Sequence, residues 1–340
     1  MHRARRRGPF GGVIFLCAGN RLMFVRFAIL GARGLIGGAV VRRARLAGHQ
    51  VRAVVRPGRE TGGFPAGIEV VPADLRSRES VVEAVRGMDV VVHAANVPYP
   101  EWPRFVPLFA ENALAAAEAS GATLVFPGNV YVYGRPRSRT VTEDHPQEPH
   151  TLKGRIRLDV ERKLLKAHQD GRVDLVLPRY PDVYGPGGMH PDFLPVFEGA
   201  LAGRPCRWPL DADGLHEFIL NDDAVEAMLR LIRTPAAHGR AVHVPGPHPI
   251  VSRGFIRLAY AAAGSGEPSV RVFGRGMYRL VGLFNRMARA AHEMAYLFDD
   301  PILLDGSLYR SLTGSPHSAR PYEVGVRRTL EWFRSHRTRA

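Results

Sequence analysis

The chain has 340 residues, of which 45% are hydrophobic, and 47 Lys and Arg against 32 Asp and Glu give a formal net charge of +15. This is enough apolar material for one large α/β domain with an appendage, or for two domains, and it excludes a disordered or collagen-like chain. Two cysteines, Cys17 and Cys206, exclude a disulfide framework and a multi-thiolate zinc site.

In chain order, residues 1–22 are basic and then briefly apolar. They imitate a signal peptide only faintly and are read as an upstream extension or tail, with Met23 near the functional start. An apolar strand at 27–30 leads into Gly31-Ala32-Arg33-Gly34-Leu35-Ile36-Gly37, and a helical pattern follows to Ala47. Further strands are expected at 51–55, 68–71, 89–92, 123–126, 173–177 and 240–244. Helices are expected at 78–86, 104–120, 153–168 and 222–233, and the tail from 252 reads as mainly helical. Short apolar strands alternating with helices predict parallel βαβ units covered on both faces. The fold class is therefore α/β, a doubly wound parallel (Rossmann) sheet with a smaller C-terminal substrate lobe. The expected division is 23–178 for the nucleotide-binding part, completed by about 216–245, with 179–215 and 246–340 forming the lobe.

Gly31, Gly34 and Gly37 stand at the first strand-to-helix junction, where each glycine has a distinct task. The first permits the tight turn, the second lets backbone approach a pyrophosphate, and the third lets the helix pack on the sheet. Leu35 and Ile36 then present helix N-terminal N–H groups to phosphate. An NAD site usually has an acidic residue at the end of the second strand, to bind the ribose 2′-hydroxyl. Here Val55 is followed by Arg56, and Arg33 sits inside the glycine loop. Two guanidinium groups suit a 2′-phosphate, so NADP is expected over NAD.

With these residues in place, the chain resembles the extended short-chain dehydrogenase/reductases, the NAD(P)-dependent epimerase/dehydratase group, over about residues 26–265. Asp74-Leu75 matches the step that lies near the adenine in that family. His93-Ala94-Ala95 matches the segment passing behind the cofactor, which brings in Ala94 and Ala95. Val132-Tyr133-Gly134 matches its VYG turn. Arg179 to Gly187 resembles its R-x-x-N-V-Y-G-P-G stretch, with Asp182 where Asn is usual, and makes Asp182 and Tyr184 the candidate substrate contacts. Phe218 to Ala224 resembles the element that returns the chain to the nucleotide domain.

The family's chemistry uses a Ser or Thr and a Tyr-x-x-x-Lys pair, and this chain departs at all three positions. Lysine occurs only at 153, 163 and 166, and four residues before them stand Pro149, Asp159 and Arg162, so the pair is absent. Alignment on Gly154 and Glu161 puts Lys153 at the Tyr position and Arg157 at the Lys position, while Asn129 falls at the Ser position. In one reading the site is active with altered parts. Lys153 is then the acid or base, its pKa depressed by Arg157 four residues along the same helix face, and Asn129 orients a carbonyl. Tyr131 is the other candidate phenol. In the second reading the fold binds NADP without turnover, as a sensor or scaffold of the NmrA-like kind.

No histidine spacing suggests a metal cage, and no metal is expected. His216-Glu217 reads as a loop or surface pair, and His145, His150 and His190 as loop residues near the cleft. Residues 274–297 mix apolar side chains and arginine on a helical pattern; core packing or a subunit interface is the first reading, and a basic helix lying on a membrane the alternative. The expected partner is a small carbonyl, hydroxyl or sugar-like substrate, in a cytoplasmic protein without nucleic-acid or membrane partners. Family analogy suggests a homodimer. Scattered arginine weighs against a phosphate-tracking face.

Overall fold

The computed structural model describes residues 24–59, 62–188, 193–317 and 319–337. The expected extension at 1–22 and His190 lie outside them. Among the described residues, eight strands form the central sheet, seven of them in one path: β1 Arg26–Leu30, β2 Gln50–Val55, β3 Glu69–Pro72, β4 Val90–His93, β5 Thr123–Val125, β6 Asp174–Tyr180 and β7 Ala241–His243, with the short strand Gly128–Asn129 paired beside the end of β6. Their order is β7-β6-β5-β4-β1-β2-β3, and every pairing is parallel. The strand order reverses between β1 and β4, which leaves a crevice at their C-terminal ends.

Helices cover both faces, so the strands are apolar on both sides. On one face lie α2 (Arg78–Val85), α3 (Trp102–Ser120) and α4 (Leu152–Gln169), packed on Ala28, Leu30, Val91 and Leu124. On the other lie α1 (Leu35–Leu46) and α6 (Asn221–Ile232), packed on Phe27, Ile29, Val90 and Val92. The alternation along β1 is the two-residue period of a strand. Thr151 caps α4 by accepting from the Gly154 N–H at 3.0 Å.

A third core, rich in aromatics, lies in the C-terminal lobe. It joins α5 (Leu194–Ala202), α7 (Ser252–Ala263) and α10 (Tyr322–Arg337) to the short strand pairs 206–209 with 270–273 and 182–184 with 218–220. The lobe does not take all of 246–340. Met294, Tyr296, Ile302, Leu304 and Tyr309 are buried in the cores of the central sheet. The helical pattern at 274–297 also breaks. It forms α8 (Arg275–Phe284) and α9 (Arg286–His292), because the Asn285 side chain caps α9 by accepting from the Met287 and Ala288 N–H groups at 2.8 and 3.1 Å.

Candidate active site

A cleft of ≈ 1070 Å³ opens at the crevice between β1 and β4. Its floor is the glycine loop. Gly31 has φ +83°, and a Cβ there would stand 2.6 Å from the Ala95 Cα. A Cβ on Gly37 would collide with the Gly31 carbonyl, so Gly37 serves close packing and does not itself line the cleft. A Cβ on Gly34 would come within 3.3 Å of the Gly31 carbonyl oxygen and 3.7 Å of that of Ala94. Leu35 and Ile36 follow along the same wall, and no side chain caps the start of α1 and no acid occupies its first turn. An uncapped, acid-free helix N-terminus behind three glycines fits a dinucleotide pyrophosphate.

One end of the cleft is basic. Arg33, Arg56 and Arg59 line it, and the Arg33 guanidinium lies 4.7 Å over the Phe64 ring and donates to the Gly62 carbonyl at 2.6 Å. Asp74 and Leu75 form the adjoining wall, with Ala94 and Ala95 behind. Arg76 holds both oxygens of Asp74 at 2.7–3.0 Å. That clamp holds its pKa down at about 2. Arg59 and Arg76 were not singled out from sequence; their spacing from Arg56 and Asp74 was the available signal.

The other end is aromatic. After β5 the chain runs beside the end of β6, where Gly128–Asn129 pairs with Arg179–Tyr180, and this carries Asn129 into the cleft. Asn129 caps the turn at 130–133, its Oδ1 accepting from the Tyr131 N–H at 3.2 Å. Tyr131 lines the cleft, and its hydroxyl lies 2.9 Å from that of Tyr99. Trp102, at the start of α3, is held by a 2.9 Å bond from its Nε1 to the Val97 carbonyl. Tyr99 and Trp102 were missed from sequence, although Tyr99-Pro100-Glu101-Trp102 is an aromatic-rich run in the connection that follows β4.

Arg157 also lines this end, between the rings of Trp102 at 5.0 Å and Phe126 at 5.5 Å. Its Nε is buried with no partner among the described residues. Burial draws the guanidinium below its usual pKa, while Glu161, Tyr131 and Tyr99 draw it back up. A small cavity of ≈ 100 Å³ beneath it is shared with His93, whose pKa burial and the Arg157 charge push down to about 3.

The sequence placed Lys153 in this group, but the structure does not bring it to the cleft. It is 3% exposed, its ammonium is paired with the Glu293 carboxylate, and its Nζ sits 4.9 Å over the Tyr99 ring. The Lys153 N–H also donates to Glu293 at 3.2 Å. Tyr184, expected at the substrate, is likewise placed elsewhere. It is buried in the lobe core against Phe255 and Tyr322, while Asp182 two residues earlier lines the cleft.

Two of the loop histidines, His145 and His150, are not among the residues that line the cleft. His145 packs edge-on against Tyr133, and His150 packs against Tyr296. His216 and Glu217 are not a surface pair: both are buried. Glu217 accepts from the Gly246 and Leu304 N–H groups, each at 2.8 Å, and burial pushes its carboxyl up to about 7.

Comparison with known proteins bears on the fold and the family. The chain is 28% identical over 280 residues to a "3-diazoavenalumate denitrifying reductase" of Streptomyces sp, covering 76% of this chain and 88% of that one. It is 29% identical over 227 residues to a "dTDP-6-deoxy-L-talose 4-dehydrogenase (NAD(P)(+))" of Kitasatospora kifunensis, covering 60% and 69%. Among solved structures, the epimerase Mth375 of Methanothermobacter thermautotrophicus superposes with a TM-score of 0.78 at 17% identity, over 93% of this chain and 94% of that one. The Bordetella bronchiseptica enzyme WbmH, solved in complex with NAD+, gives 0.72 at 20% identity, over 92% and 99%. A sequence profile matches residues 27–244, from β1 through β7, and by that match the chain belongs to the NAD dependent epimerase/dehydratase family.

Proposed function

We propose that the protein is an NADP-linked oxidoreductase acting at a carbonyl or hydroxyl carbon of a small substrate, with Tyr131 as its proton-exchanging group. The observation that carries this reading is the paired Tyr131 and Tyr99 hydroxyls, on the cleft wall beside the Arg157 guanidinium. Arg33, Arg56 and Arg59 at the opposite end, with no carboxylate ending β2, support NADP over NAD.

When bound, a nicotinamide dinucleotide supplies the hydride donor or acceptor. The glycine loop and the start of α1 would hold its pyrophosphate, and the arginines its 2′-phosphate. In the reducing direction the Tyr131 hydroxyl gives its proton to the substrate oxygen as negative charge develops there. The phenolate left behind is stabilised by the Tyr99 hydroxyl and by the Arg157 charge. In the oxidising direction the same phenolate takes the proton back. Asn129 keeps Tyr131 in place through its cap on the turn. Lys153 acts at one remove, as a positioning residue that anchors Tyr99 from behind.

The test is NADPH consumption over a panel of aldehydes, ketones and keto-sugar nucleotides. Tyr131→Phe is expected to bind NADPH as the parent does while turnover falls about a hundredfold or more. Full turnover by that variant overturns the assignment of Tyr131. Tight NADPH binding with no turnover across the panel favours the sensor reading instead.

A further inference from the structure

The segment that follows the 270–273 strand is at odds with its surroundings. Among the described residues, twelve large apolar side chains are strongly exposed, and seven of them fall within 272–287. Along α8, Met277, Leu280, Val281 and Phe284 recur at i, i+3, i+4 and i+7, which is one helix face. That face points away from the protein, and Phe284 is 89% exposed. Leu283 and Met287 extend it across the turn into α9. A solvent-facing helix normally shows its polar side outward, so this stripe is reversed.

Within the segment itself the charge is of one sign, and Glu267 and Glu293, which flank it, are paired with Arg257 and Lys153. Residues 268–292 contain five arginines, at 271, 275, 279, 286 and 289, and no acidic residue. Arg279 and Arg286 are exposed beside the apolar stripe. Arg289 closes the turn between the helices, its Nε donating to the Gly282 carbonyl at 2.9 Å and its Nη2 to that of Leu283 at 3.2 Å. The hairpin is therefore a braced unit with an apolar face and a cationic border. α9 packs against the 99–101 turn, and Glu293 just beyond it holds Lys153.

We propose that the α8–α9 hairpin is a docking surface for an anionic lipid bilayer. The apolar stripe enters the boundary between headgroups and acyl chains, and the arginines meet the lipid phosphates. Neither helix spans the bilayer, and among the described residues no helix is long and apolar enough to do so. Because the hairpin rests on the 99–101 turn at the rim of the cleft, docking holds the cleft mouth close to the lipid surface. The proposal does not depend on the redox activity.

Flotation of the full-length protein with vesicles tests it directly. Binding to vesicles containing phosphatidylglycerol is expected, about tenfold or more stronger than to phosphatidylcholine alone, and weakening as salt is raised. Leu280→Asp with Phe284→Asp is expected to abolish binding. Arg279→Ser with Arg286→Ser is expected to remove the preference for anionic lipid. Equal binding to both vesicles, or no binding to either, overturns the proposal. It is also overturned if the hairpin is covered by a second copy, seen as a dimer in light scattering that Leu280→Asp dissociates and that ignores vesicles.

Discussion

Tyr131 and Lys153 both meet Tyr99, one at its hydroxyl and the other over its ring, and of the two only Tyr131 lines the cleft. Lys153→Met is therefore expected to leave turnover within about tenfold of the parent, against a loss of a hundredfold or more in Tyr131→Phe. Measuring kcat and KM for both separates the two, and the reverse ranking restores Lys153 as the acid. The glycine roles were legible in the sequence because backbone geometry at Gly31 and Gly37 admits no side chain, and that constraint is local. The fate of Lys153 was not legible, since its partner Glu293 lies 140 residues further on. The Tyr99 hydroxyl reaches Tyr131 across a separation of 32 residues and is just as invisible to local pattern.

At the scale of elements, long-range polar ties hold the site's supports in place. Arg179 on β6 is fully buried, and its guanidinium pairs with Glu161 on α4 at 2.6–3.0 Å and donates to the Tyr133 hydroxyl at 2.7 Å. Removing one charge strands the other in the core. Glu161→Gln is expected to lower unfolding free energy by about 3–5 kcal/mol in urea denaturation. Glu217 gives a pH signature. Its folded pKa is raised from 4.5 to about 7, so its contribution to stability is fully present below 4.5 and is lost as pH rises through 7. Unfolding free energy measured between those limits should fall less steeply with rising pH in Glu217→Gln; an unchanged slope contradicts this. Strands and helices of the central sheet were readable to within a few residues, because their apolar periods are strong. The break at Asn285 and the return of 294–309 to the central sheet were not, since one depends on a single capping side chain and the other on tertiary packing.

Across the whole molecule the positive charge is unevenly divided. The first 22 residues carry five arginines and no acid, and residues 320–340 carry six arginines and two glutamates. Between them, a basic cluster of Arg33, Arg56 and Arg59 marks one end of the cleft, and the α8–α9 hairpin concentrates another. Composition alone showed only an excess of scattered arginine; the fold sorts part of it into two places, for which a cofactor phosphate and a lipid surface are the partners proposed above. The parallel sheet has its crevice at the β1–β4 reversal, where strand topology puts a dinucleotide, and arginines line the β2 end of that cleft; the proposed preference for NADP rests on them. Fluorescence titration with NADPH and with NADH, on the parent and on Arg33→Ala with Arg56→Ala, measures that preference without any substrate. NADPH is expected to bind about 10- to 100-fold tighter than NADH in the parent, and the two are expected to become nearly equal in the variant, because charge-assisted bonds to the 2′-phosphate are lost. Equal affinities in the parent, or tighter binding of NADH, would contradict the account.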